Sequence, residues 1–206
     1  MRECLSYNDV LMVPQYSDIK SRSQVNLESR LGNKSFTLPI ISSPMDTITG
    51  TEMALAMEEA GGLGVVHRYC SIQEQIEMIS YENVRAAAIG VTGDFVDRVV
   101  ALYNAGIRIF CLDVAHGDHI HMQIAIERLK ETYGEEVHVM AGNVATREAY
   151  ERLSKWGADS VRVGIGGGSI CSTRIQTGHG MPTFQSVLDC AQSEYDTTII
   201  ADGGIT

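Results

Sequence analysis

Hydrophobic and polar positions along the 206-residue chain fall into two alternating rhythms. Short β-branched or alanine-rich runs centre near Ile40, Val65, Ala88, Phe110, Val139, Val161 and Ile200, and each reads as a buried strand. Between them Thr51–Ala60, Ile72–Ile79, Phe95–Ala105, Met122–Tyr133, Arg147–Lys155 and Thr183–Ser193 carry apolar residues at three- and four-residue spacing. Those segments predict six helices, several leaving through a glycine suited to a left-handed cap, as at Gly61, Gly106 and Gly157. Strand, helix, strand in strict succession predicts an α/β fold with a parallel sheet.

The spacing sharpens this reading. Most strand centres lie about 22 to 29 residues apart, but the last interval stretches to about 39, with the excess in Gly164 to Met181. Each strand is followed by polar residues or glycine: Ser42 to Asp46, His67-Arg68, Gly90, Asp113, Gly142-Asn143, Gly164 onward and Asp202 to Gly204. Such a face is where a (β/α)8 TIM barrel holds its active site, although an open doubly wound sheet also binds ligands at strand carboxyl ends. No GxGxxG follows the first strand. A barrel of this type needs about 250 residues. The expected architecture for 1–206 is therefore a single incomplete barrel domain, truncated after its seventh strand, with an N-terminal extension over 1–37. In that extension Tyr7, Val10, Leu11, Val13 and Tyr16 are expected to cover the amino-terminal mouth or pack beside it.

Charge and composition narrow the function classes. With 16 Lys+Arg against 26 Asp+Glu the formal charge is −10, and no basic stripe offers itself to nucleic acid. No apolar run reaches the roughly 18 to 20 residues of a membrane span, and Met1 to Cys4 does not start a secretory signal. A cytoplasmic protein is expected. Five cysteines without a CxxC pair read as free thiols.

The densest chemistry lies in Gly164-Ile165-Gly166-Gly167-Gly168-Ser169-Ile170-Cys171-Ser172-Thr173-Arg174. Glycines there allow close backbone approach, their N–H groups can hold an anion, and their carbonyls can face a monovalent cation. Ser169 can add a hydroxyl to a phosphate, and Cys171 can act as a thiolate nucleophile. His116, Asp118, His119 and His121 form a dense cluster, but on one loop with no ligand set elsewhere. The face of Arg147, Glu148, Glu151, Arg152 and Lys155 reads as solvated and charge-paired, and Met53, Met57 and Met78 as core.

Val163 to Thr173 resembles the catalytic-cysteine signature of the IMP dehydrogenase/GMP reductase family, which usually has proline where this chain has Gly167. Tyr7 to Pro14, Ser42 to Thr47, Met140 to Thr146, Thr177 to Gly180 and Ala201 to Ile205 continue the resemblance in family order. It implies Cys171 as nucleophile at purine C2, with Thr173 assisting at the leaving group or water. It also implies nucleotide contacts from Ser43 and Met45, phosphate contacts from Ser169 and the Gly203-Gly204 backbone, and ribose contacts from Asp202. Asp113 and Asn143 would lie toward the nicotinamide, and the carbonyls of Gly166, Gly168 and Cys171 would bind a cation such as potassium. The link from His67 to Arg85 is too short for the regulatory CBS pair of typical IMP dehydrogenases. That favours GMP reductase, converting GMP to IMP and ammonia with NADPH. The alternatives are IMP dehydrogenase, which uses NAD, and an inactive fragment or nucleotide-binding remnant. A completed barrel would be a homotetramer acting on a purine mononucleotide, with neither nucleic acid nor membrane as partner.

Overall fold

A computed structural model describes residues 3–31, 34–81 and 83–205. The chain opens with a small antiparallel pair, β1 (Ser29–Leu31) and β2 (Lys34–Phe36). It then alternates through β3 (Ile41–Ser42), α1 (Thr51–Glu59), β4 (Leu63–Val66), α2 (Ile72–Met78), β5 (Ala86–Ile89), α3 (Phe95–Asn104) and β6 (Ile109–Asp113). The second half runs α4 (Ile120–Tyr133), β7 (His138–Val144), α5 (Arg147–Trp156), β8 (Ser160–Val163), α6 (Thr173–Thr177), α7 (Thr183–Cys190) and β9 (Thr198–Ala201).

Strands β3 to β9 form one parallel sheet in sequence order and curl into an open half-barrel. The two edge strands face the same cavity, so the opening lies between β3 and β9. Side-chain alternation divides the core in two. Leu63, Val65, Ala86, Ala88, Ile109, Cys111 and Met140 point inward, while Val66, Ala87, Ile89, Phe110, Leu112, Val139, Ala141, Val161 and Val163 pack outward against the helices. Local signals set the boundaries. Ser71 and Glu74 form a capping box on α2, Thr146 accepts the Ala149 N–H at 3.3 Å to start α5, and Gly157 ends α5 with φ +104°.

The N-terminal extension differs from expectation. Leu11, Val13 and Tyr16 are 95%, 75% and 94% exposed, so these residues cover no mouth. Tyr7 instead packs edge-on against Phe184 of α7, and the β1–β2 pair carries out the covering. Leu31 and Phe36 join the inward cluster, and the guanidinium of Arg85, which precedes β5, lies 5.9 Å from the Phe36 ring. Those contacts put the pair at the amino-terminal ends of the strands. Neither β1–β2 nor α6 was signalled by periodicity, because pieces of three and five residues are too short to display one. Met53 is another correction: it is exposed, not core. Among the described residues no helix is long and apolar enough to cross a membrane.

Candidate active site

The carboxyl ends of β6 to β9 bring four expected site residues to one rim. Asp113 closes β6, Asn143 is the penultimate residue of β7, Gly164 follows β8 and Asp202 follows β9. What joins them is a residue the sequence reading passed over. Arg162, on the inward side of β8 and 7% exposed, donates from Nη1 to Asp113 Oδ1 at 2.8 Å and from Nη2 to Asp202 Oδ2 at 3.0 Å. Its Nη1 also lies 3.4 Å from Cys111 Sγ. The Asn143 amide donates to Gly164 O at 2.8 Å and to Asp202 Oδ2. Arg68 Nε donates to the Asp113 carbonyl at 3.2 Å and lies 3.8 Å from Asp113 Oδ2. Burial opposes the charge on Arg162, but Cys111, Asp202 and Asp113 around it hold its pKa above the ordinary arginine value. Burial pushes the Cys111 thiol up to about 11, with Arg162 opposing, so that thiol stays protonated.

Next to this rim two loops meet backbone to backbone. A Cβ on Gly164 would fall 2.0 Å from Asp202 O, and one on Gly204 would fall 2.4 Å from Gly167 O. Gly203 and Gly204 both take positive φ, at +75° and +69°, a conformation that side-chain-bearing residues rarely adopt. The seam continues to the cysteine. A Cβ on Gly203 would meet Gly168 Cα at 3.3 Å, one on Gly168 would meet Cys171 Cβ at 3.6 Å, and the Cys171 amide donates to Gly168 O at 3.1 Å. Cys171 Sγ is half-buried and lies 3.3 Å from Thr173 Oγ1. The Thr173 hydroxyl and N–H, helped by the Gly166 N–H and the Arg174 charge and opposed by burial, lower the Cys171 pKa below an ordinary thiol's. Of the two thiols near the rim, Cys171 is shifted toward the thiolate and Cys111 away from it.

A cavity of about 490 Å³ opens beneath the rim, floored by Leu31, Phe36, Leu63 and Met140. Of the expected nucleotide contacts, Ser43, Asp202, Gly203 and Gly204 line it; Met45, Ser169, Cys171 and Thr173 lie outside its lining. Buried Thr49, also missed in the sequence, braces the first loop: its hydroxyl donates to Ser43 O at 2.6 Å and lies 2.9 Å from Ser42 Oγ. The histidine cluster is otherwise engaged: His119 Nδ1 accepts the His121 N–H at 3.2 Å, and Asp118 accepts Arg152 Nε at 2.7 Å.

Comparison with known proteins decides the family. A family model described as IMP dehydrogenase / GMP reductase domain matches residues 4–206. The chain belongs to the IMP dehydrogenase/GMP reductase family. It is 35% identical to a GMP reductase of Vibrio cholerae over 217 residues, covering 98% of this chain and 62% of the relative. It is 33% identical over 251 residues to an inosine-5'-monophosphate dehydrogenase of Cryptosporidium parvum, covering 98% and 62% respectively. To an inosine-5'-monophosphate dehydrogenase of Nitrosopumilus maritimus it is 27% identical over 334 residues, covering 98% and 70%. The chain thus spans between 62% and 70% of the length of these relatives. Membership in an IMP dehydrogenase/GMP reductase family of oxidoreductases fits a rim that pairs carboxylates, glycine turns and an activated thiol.

Proposed function

We infer that the chain carries the catalytic centre of a GMP reductase, and the observation that carries this reading is Cys171, its pKa lowered by Thr173, on a loop packed against the Gly203-Gly204 turn. The nucleotide's phosphate is held by the N–H groups of Gly203 and Gly204 with the Ser169 hydroxyl, which needs no basic patch. Asp202 shares one carboxylate oxygen with Arg162 and Asn143, and its other oxygen accepts from the ribose hydroxyls. Ser43 and Met45 bound the base. The Cys171 thiolate adds to purine C2; the C2–N bond then breaks with a proton delivered through the Thr173 hydroxyl, releasing ammonia. NADPH, when bound, would supply a hydride to C2; the C2–S bond then breaks, returning the Cys171 thiolate and leaving IMP. Asn143 spends its amide hydrogens on the protein, so its carbonyl oxygen is the group that faces a nicotinamide carboxamide, beside Asp113. Gly168 and Cys171 lie on one tight turn closed by the Cys171 amide, and their carbonyls with that of Gly166 would take a monovalent cation such as potassium.

The reductase is favoured over the dehydrogenase by continuity. The match to the Vibrio cholerae GMP reductase runs over 217 positions, close to the chain's own length, whereas the matches to the Cryptosporidium parvum and Nitrosopumilus maritimus dehydrogenases run over 251 and 334 and open longer gaps. The test is a paired assay on the full reading frame containing this chain, GMP with NADPH against IMP with NAD. NADPH oxidation with GMP alone supports the reductase, NAD reduction with IMP assigns the dehydrogenase, and silence in both removes catalysis from this reading. A cytoplasmic homotetramer is the assembly in which we expect it to work.

A further inference from the structure

One side chain behind the nucleophile loop has no bonding explanation of its own. Thr183, the first residue of α7, is 3% exposed, and its Oγ1 is buried without a hydrogen-bond partner among the described residues. A buried hydroxyl normally finds a partner. This hydroxyl instead points at Gly167. A Cβ built on Gly167 would fall 2.1 Å from Thr183 Oγ1 and 3.3 Å from Thr183 Cβ, so the threonine side chain occupies the volume a side chain at 167 would need.

Thr183 has little freedom to retreat. Two residues earlier, the Met181 amide donates to Ile165 O at 3.0 Å, tying the start of α7 to the strand side of the same loop. Two residues later, the Gln185 amide donates to Leu5 O at 3.1 Å, and one residue beyond it the Ser186 amide donates to Pro182 O at 3.1 Å. On the loop side, Gly167 leads directly into Gly168, whose carbonyl receives the Cys171 amide and whose Cα lies against Gly203. A push at 167 therefore moves the turn that carries the thiol, while α7 stays in place.

We propose that Thr183 is a positioning residue for the nucleophile loop, packing against Gly167 and so fixing the turn of Gly166, Gly168 and Cys171 relative to the Gly203-Gly204 loop. The contact is one of shape, since the hydroxyl makes no bond. Gly167 and Thr183 are then a matched pair, in which the residue allowed at one position depends on the other. This rests on reading Cys171 as the activated thiol, and the experiment separates the two claims.

The measurement is the rate of iodoacetamide alkylation at Cys171, followed by peptide mass spectrometry across pH, on the whole chain and four variants. Wild type should show a midpoint below that of an ordinary thiol, about 8.5. Gly167→Ala should raise that midpoint and slow alkylation at pH 7 roughly tenfold per unit of displacement, because the added methyl drives the turn off Thr183. In the double variant Gly167→Ala, Thr183→Ala, the methyl merely changes sides of the contact, and the rate should return to within about twofold of wild type. Thr183→Val, which keeps the shape and drops the orphaned hydroxyl, should follow wild type and melt no lower. Thr183→Ala alone should move the midpoint upward while the circular dichroism spectrum stays unchanged, so the proposal is tested even where Gly167→Ala does not fold. A low midpoint indifferent to every change at 167 and 183, or a double variant no better than Gly167→Ala, overturns the positioning role and spares Cys171. An ordinary midpoint in wild type overturns the activated thiol itself.

Discussion

Among the described residues two arginines are buried, on opposite sides of the same sheet, and their surroundings differ in kind. Arg98, on α3 outside the sheet, donates to Asp94 Oδ2 at 2.6 Å, Gln75 Oε1 at 2.7 Å and Cys70 O at 2.9 Å. One of these partners is half-exposed, one is neutral and one is backbone, while Gln75 in turn donates to His67 O and Ala88 O. That network stitches two helices and a loop to the sheet, and every member is accounted for by structure. Arg162, inside the sheet, faces two carboxylates, Asp113 at the end of β6 and Asp202 just after β9, and both sit on the carboxyl-end rim. The outer network binds the scaffold to itself; the inner one holds acids at a rim whose remaining valences point outward. A buried charge becomes a site marker when its partners are left with unused acceptors.

Removing each arginine should separate the two roles. Arg162→Leu takes the only paired cation described from Asp202 and leaves Asp113 just the 3.8 Å contact with Arg68, and it should lower stability by about 3 to 5 kcal/mol, read from urea unfolding, with GMP binding lost in calorimetry. Arg98→Met orphans the buried Gln75 oxygen but leaves Asp94 access to water, so about 1 to 3 kcal/mol is expected and GMP binding should persist in the folded fraction. Equal losses of binding in the two variants would break the distinction.

A weaker effect concerns His138, at the floor of the inner face. Its Nε2 lies 2.8 Å from Ser160 Oγ, and burial, opposed by Asp159 and aided by Lys130 and Lys34, lowers its pKa. Below the unfolded histidine value of about 6.5 the unfolded chain takes the proton first, so stability falls as pH drops through that window. His138→Gln should therefore show a shallower decline of the urea midpoint between pH 7.5 and 5.5 than wild type. The smallest expectation is no effect at all: Cys111, with its pKa at about 11, should remain unalkylated by iodoacetamide at pH 7 in the folded chain although Arg162 touches it.

The inner and outer faces were also unequally legible. The seven strands and their helices stood out because each unit repeats one burial pattern, and the outer core is built from those very positions. The inner face carries the exceptions. In Ser160-Val161-Arg162-Val163 the alternation itself set an arginine inside a barrel strand, the signal by which Arg162 was discoverable. Thr183 left no such trace, since a threonine opening a helix is unremarkable until a glycine from another loop meets it. Leu11, Val13 and Tyr16 invite the expectation of a covered mouth because hydrophobicity reports affinity for burial, whereas what residues are buried against is a property of the fold.

The seam between the loops after β8 and β9 has a consequence for how this chain can change over generations. Every amino acid one base change away from a glycine codon carries a Cβ. At Gly164 and Gly204 that atom would land 2.0 Å and 2.4 Å from a carbonyl oxygen of the opposite loop. These positions have no neutral neighbours in sequence space, so the two loops can drift only together, by paired changes that part both backbones at once.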